Sequence, residues 1–262
     1  MGADTIMNLL SLKAGPDEIW SMGVDRHLCL GPPGAKHLSG GACTAILIDA
    51  LEQVTGKPLI QASAQFLEAP KVHDTVTVSL EHHRPGRSID IASARLTTVG
   101  PPQVRLSASF GTRRDIGDYQ WKRDIEFTSP GKSTDIPFVR ADPGDLHTVL
   151  EMRLAAEPQD GRLLFWVRSP RQPITSSARF LALIADYLPE AIHLSIGRPA
   201  GAISLDNSIR MVSNQLTEWT LCVAQLDAIK RGIFHGRMTL VSQRSEILAT
   251  ASQSGVVMLL EA

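Results

Sequence analysis

Cysteine is the first scarcity. The 262 residues hold only three, Cys29, Cys43 and Cys222, widely spaced and odd in number. That pattern gives neither a disulfide framework nor a metal site, and it suits a reducing cytoplasm. Net charge is nearly absent as well. Lys and Arg number 26 against 27 Asp and Glu, a balance of −1. Nothing in that balance attracts a nucleic-acid backbone or an anionic bilayer, so neither is expected as a partner. Long apolar runs are missing too. The nearest, Ala45–Leu51, is short and contains Asp49, so no membrane span is expected. Met1–Leu12 lacks the basic stretch and following apolar stretch of a secretory leader. Leu259-Leu260-Glu261-Ala262 is neither a peroxisomal nor a retention signal. The expected compartment is the cytoplasm. A chain of this length can bury a sizeable core, as one large domain or two ordinary ones.

What is present alternates between one helix and many strands, twice. Asp4–Lys13 carries the spacing of a short amphipathic helix. After the breakers Gly31-Pro32-Pro33-Gly34 comes Ser39-Gly40-Gly41, then Ala42–Val54, apolar nearly all round. A helix without a polar face is a buried one. Ser39 can cap it, and Gly56 can stop it. Strand patterns follow at Leu59–Leu67, Val72–His83, Ser88–Thr98 and Val104–Phe110, with turns between them. Thr112–Asp160 is richer in charge, Pro and Gly. Most of it reads as a linker, with a strand such as Leu146–Leu154 starting the second unit. The second half then runs strand Leu163–Val167, helix Ile174–Leu188, and strands Ile203–Val212, Glu218–Ala228, Gly232–Ser242 and Ile247–Leu259. Ile60–Ser63 can be laid on Ile203–Asp206, and Leu106–Phe110 on Ala249–Gln253. Two copies of one helix-plus-sheet unit, an α+β fold, is the expectation.

The polar residues inside these strands are the candidate site. Asp206 interrupts an apolar and small-residue strand, and Gln253 ends another. Such groups need each other, water or a ligand. A carboxylate beside a carboxamide can orient a water molecule and take its proton, more effectively where burial raises its pKa. Plainer roles stay open. Asp206 can be a strand-end carboxylate bonded to a turn, Gln253 an edge residue, and Gly40-Gly41 only a tight helix entry. Asp227 beside Ala228 and Lys230 reads as a solvated turn residue, and Asp49 as structural or interfacial. His82 and His83 point to opposite faces of a strand, so they cannot share a metal.

The order of these pieces resembles the double-hotdog acyl-CoA thioesterases of the thioesterase II type, over nearly the whole chain. The residues carrying the likeness are Ser39-Gly40-Gly41, Gln65-Phe66-Leu67 and Leu106–Phe110. In the second half they are Ser204-Leu205-Asp206-Asn207-Ser208, Glu218-Trp219 and Gln253-Ser254-Gly255-Val256. The resemblance implies two fused hotdogs, each a long helix wrapped by a curved antiparallel sheet: residues 1–111, a linker over 112–145, and 146–262. It implies hydrolysis of acyl-CoA without metal or cofactor, and a homo-oligomer formed through sheet and helix contacts. It implies an Asp, a Gln and a Ser or Thr holding the attacking water. The Asp carries over to Asp206 and the Gln to Gln253. The family hydroxyl falls near Leu226 or Asp227, neither of which has one, so Asp227 is the expected third member. Gly40 and Gly41 are expected to let substrate approach the backbone. The lost hydroxyl motivates a rival expectation, a catalytically weak acyl-CoA or lipid-binding protein on the same scaffold. A hotdog hydratase is a further rival, but no His lies within several residues of Asp206.

Overall fold

The longest helix starts where Ser39 halts the extended chain. The Ser39 hydroxyl accepts the Ala42 N–H at 3.1 Å, satisfying one of the donors that a helix start leaves open. Gly56 ends the helix at φ 62°, a left-handed conformation that a side chain resists. Every residue from Gly41 to Ile48 is buried, as an all-round apolar helix requires.

The computed structural model describes residues 6–17, 19–113, 116–121, 125–136, 142–170, 178–197 and 199–260. Its helices are α1 (Ile6–Leu9), α2 (Gly40–Thr55), α3 (Leu146–Val149), α4 (Ala178–Ala185) and α5 (Glu190–Ile196). The first-half strands are β1 (Lys13–Ala14), β2 (Ile19–Gly23), β3 (Cys29–Leu30), β4 (His37–Leu38), β5 (Leu59–Phe66), β6 (Thr75–Arg84), β7 (Ile89–Thr97) and β8 (Val104–Gly111). Those of the second half are β9 (Thr134–Asp135), β10 (Glu151–Gln159), β11 (Arg162–Arg168), β12 (Ala200–Met211), β13 (Thr220–Lys230), β14 (Ile233–Ser242) and β15 (Ile247–Leu259).

Among the described residues, 13 strands form one antiparallel sheet in the order β1-β2-β6-β7-β8-β5-β12-β15-β14-β13-β11-β10-β9, with β3 and β4 paired apart. The order reads nearly the same from either end. Its centre is the β5–β12 pair, where Ser63 faces Ser208 and their hydroxyls bond at 2.8 Å. Side chains alternate across the sheet, as the pleat dictates. On β8, Leu106, Ala108 and Phe110 point inward and Arg105 and Ser107 outward. Helices α2 and α4 pack against each other and run in opposite directions: Gly41 meets Asp186 near one end, and Asp49 meets Arg179 near the other. Among the described residues no helix is long and apolar enough to cross a membrane.

Several expectations shift. The strand expected over Leu146–Leu154 opens instead as the single turn α3, because buried Asp145 caps it by accepting the His147 N–H at 3.0 Å. Part of the stretch read as linker is tied to the second half. The Thr128 N–H donates to the Ala155 carbonyl and the Trp166 ring N–H to the Thr128 carbonyl, both at 2.7 Å, and β9 pairs with β10. The helix expected over Ile174–Leu188 is α4, a turn at Asp186–Leu188, and then α5. Pro189 forces the break, since it has no N–H to continue a helix. Its first residues, 174–177, lie outside the described residues, as do residues 1–5 before α1.

Candidate active site

That break at the end of α4 produces the central feature. The chain leaves the helix after Ala185 and turns the Asp186 carboxylate toward the start of α2. Oδ2 accepts the Gly41 N–H at 2.8 Å. Oδ1 accepts from the Gln253 amide at 2.5 Å and from the Ser204 hydroxyl at 3.2 Å. The Gln253 Nε2 also donates to the Ser204 oxygen at 2.7 Å, closing a triangle of three side chains. The glycines make this approach possible. A Cβ on Gly41 would lie 2.2 Å from the Leu183 carbonyl oxygen, and one on Gly40 would lie 2.9 Å from Asp186 Oδ2.

Electrostatics favour a proton-accepting role. Burial pushes the Asp186 carboxyl up to about 6, opposed by the Gly41 N–H, the Ser204 hydroxyl and the Asn207 and Gln253 amides. Its hydrogen-bond partners are all uncharged. Gln253 is only 2% exposed, and its Oε1 has no hydrogen-bond partner among the described residues. Asp186 and Ser204 line a cavity of about 380 Å³, with Leu38, Phe66, Val104 and Leu183 among its apolar walls. That volume and composition match a small-molecule site. A second acid, Glu190, lines the same cavity and is pushed up to about 7 by burial and by the charge of Asp145. It faces His147 at 3.7 Å, whose ring burial holds down to about 4.

The sequence-based candidates land as follows. Gln253 faces the interior. Asp206 does not meet it. The inward face of β12 is set by Asn207 and Ile209, both buried, so Asp206 lies on the other face, where Oδ1 accepts the Ser254 N–H at 2.7 Å. Asp227 is exposed and pairs with Arg237 on the neighbouring strand, away from the triangle. A β-bulge between Leu226 and Ala228 sets that geometry, and Leu226 is the inward residue, 8% exposed. Gly40 lines the cavity, while the Gly41 N–H is committed to Asp186. Asp186 itself is the residue that strand-based reasoning passed over. Its signal was an acid directly after the apolar Phe180–Ala185 run and three residues before Pro189.

Helix α2 in the first half and α4 in the second, packed on one continuous antiparallel sheet whose strand order nearly repeats from either end, define a double hotdog. The chain belongs to the acyl-CoA thioesterase family: residues 31–111 match the acyl-CoA thioesterase N-terminal domain and residues 115–257 the C-terminal domain. It is a thioester hydrolase. Solved structures agree. A proposed thioesterase from Novosphingobium aromaticivorans is 28% identical, with 96% of this chain and 98% of that one covered and a TM-score of 0.88. A tesB protein from Mycobacterium avium subspecies paratuberculosis is 17% identical over 96% and 97% of the two chains, at a TM-score of 0.77. The acyl-CoA thioesterase II TesB2 from Mycobacterium marinum is 16% identical over 98% and 99%, also at 0.77. The last two likenesses speak to the fold alone. A comparison with curated proteins found no match.

Proposed function

We propose that the protein hydrolyses an acyl-CoA to the free acid and CoA by direct attack of water, with Asp186 as the base and Gln253 as its partner. The observation that carries this reading is the Asp186 carboxylate itself: half-buried, lining the cavity, bonded only to neutral donors and raised to about 6. A base poised near neutrality suits proton abstraction from water. The water oxygen bonds to the thioester carbonyl carbon while its proton passes to Asp186, and the carbonyl electrons move onto oxygen. The positive end of α2, where Gly40 lines the cavity, faces that developing charge. When the intermediate collapses, the C–S bond breaks and the thiolate leaves with the proton from Asp186. Gln253 Oε1, a buried acceptor with no partner among the described residues, orients the water.

The setting we infer is a cytoplasmic homo-oligomer. The oligomer's support is the exposed apolar Ile203 and Leu205 of β12. Sedimentation of the purified chain tests that part. Thiol release from acyl-CoAs of graded chain length tests the reaction. Turnover by the wild type and its collapse in Asp186→Asn is the expected result, and an Asn variant at full rate would remove Asp186 from the mechanism.

A further inference from the structure

The cavity wall that begins at Asp186 carries more polar groups than hydrolysis uses. We propose that Glu190 and Tyr187 form a recognition site for a hydroxyl group on the acyl chain, so that the preferred substrates are hydroxylated acyl-CoAs. The proposal rests on the hydrolase reading above and names its substrate class.

The backbone keeps the second acid close to the first. The Tyr187 N–H donates to the Ile184 carbonyl at 3.2 Å, and the Glu190 N–H to the Tyr187 carbonyl at 3.1 Å. Four residues of such tight turns advance the chain by about 8 Å. Asp186, Tyr187 and Glu190 all line the one cavity. A substrate with its carbonyl at Asp186 therefore brings its acyl chain within reach of the other two.

Neither of those two has its polar chemistry met. The Glu190 side chain is 25% exposed, and no hydrogen bond ends on its carboxyl among the described residues. His147 stands 3.7 Å away, beyond hydrogen-bond reach, and burial holds its ring down to about 4, so it is uncharged near pH 7. No Lys or Arg lines the cavity among the described residues. The buried Lys36 is bonded to Asp145 at 3.0 Å. Tyr187 is 3% exposed, and its hydroxyl has no hydrogen-bond partner among the described residues. Burial, and then the charges of Glu190, Asp145 and Asp186, push the Tyr187 pKa well up, so the hydroxyl keeps its proton and can donate it.

An unmet acceptor and an unmet donor on one stretch of wall suit a group that donates and accepts at once. A hydroxyl does both: it donates to Glu190 and accepts from Tyr187. A methylene does neither and leaves both groups unsatisfied. An ammonium only donates. A carboxylate only accepts, and it would meet Glu190 and Asp186 with no cation to offset the repulsion.

The test measures kcat and KM for thiol release from butanoyl-, octanoyl- and dodecanoyl-CoA, from their forms hydroxylated at successive carbons, and from their ω-amino and ω-carboxy forms. The wild type is expected to favour at least one hydroxylated form over its plain chain by about tenfold in kcat/KM, the scale of a hydrogen bond to a charged group. The carboxylated forms are expected to be the poorest. Glu190→Leu is expected to abolish the preference, raising KM for the hydroxylated form and lowering it for the plain chain. Tyr187→Phe lowers the preference, and Glu190→Gln, which keeps an acceptor, retains part of it. If Glu190→Leu fails to fold, a reduced preference in both Tyr187→Phe and Glu190→Gln supports the proposal. No preference for any hydroxylated form in an active wild type, or a preference unchanged in these variants, would overturn it. So would a stronger preference for the amino forms, or an equal loss on every acyl group, which would assign Glu190 to the CoA portion. A wild type inactive on every acyl-CoA would overturn the hydrolase reading, and this proposal with it.

Discussion

Two acids bridge the paired helices, and their surroundings treat them in opposite ways. Asp49, on α2, reaches Arg179 of α4 at 2.7 Å and accepts from Gln53 at 3.1 Å. Gln53 in turn accepts the Trp20 ring N–H, also at 3.1 Å. Asp186, just past α4, reaches back to α2 and finds only neutral donors. Both are half-buried; the first sits beside a cation, and the second has only uncharged groups bonded to it. The difference teaches how a duplicated scaffold can keep one acid as a tie between helices and the other as a reactive group. A guanidinium compensates a carboxylate and locks it, whereas amides and a hydroxyl orient it and leave its proton affinity high.

That contrast can be broken or sharpened by mutation, and the largest effect belongs to Asp186→Asn. Turnover is expected to fall by a factor on the order of 10³, within the usual range for a lost general base. Stability moves the other way. A carboxyl whose folded pKa is raised favours the folded state fully below its ordinary value, and that contribution is lost as pH rises through about 6. Removing the titration should therefore stabilise the protein at pH 8, by an amount on the order of 2–3 kcal/mol, and much less at pH 4. Denaturant melts at both values measure it. An equal effect at both pH values would contradict the buried-acid account.

Gly41→Ala comes next. The 2.2 Å approach to the Leu183 carbonyl oxygen leaves no space for a methyl group, so the helices must part. A loss of about 1–3 kcal/mol is expected, with a fall in kcat as the Gly41 N–H leaves Asp186. A variant with wild-type melting temperature and rate would mean that the helix contact is looser than described. Asp49→Asn should cost about 1 kcal/mol or less, since its ion pair is partly open to solvent, and should leave kcat within about twofold. If kcat fell as far as in Asp186→Asn, the division of labour between the two acids would be wrong. Smallest of all, Asp206→Asn and Asp227→Asn should each leave kcat within about twofold, as surface changes do. Steady-state thiol release settles both.

Most of the architecture was legible in the sequence, for a physical reason. Helix α2 announces itself by the Ser39 cap, the Gly56 stop and an apolar surface on every side. The strands announce themselves by alternation, and β15 spans Ile247–Leu259 just as its pattern implied. Gln253 was singled out as an amide at a strand's end, and the structure turns it inward. Asp206 misled because period-two reasoning finds a carboxylate in a strand without knowing which face is inside. That face is fixed by Asn207 and Ile209, and the bulge at Leu205 then makes the parity of Ser204 unreadable without coordinates. Asp186 escaped for a different reason. It sits in a turn between two helices, and its partners Gly41, Ser204 and Gln253 lie far away in the chain. No local pattern encodes that meeting. The resemblance supplied the residue types of the site, but carrying them over required knowing which acid faces Gln253.

The most direct measurement is the pH dependence of kcat/KM for thiol release by the wild type and by Asp206→Asn. A base at Asp186 predicts one acid limb near pH 6 in both proteins, since desolvation pushes its carboxyl up to about 6. A limb at the ordinary carboxylate value of about 4, or one that vanishes with Asp206, would contradict it.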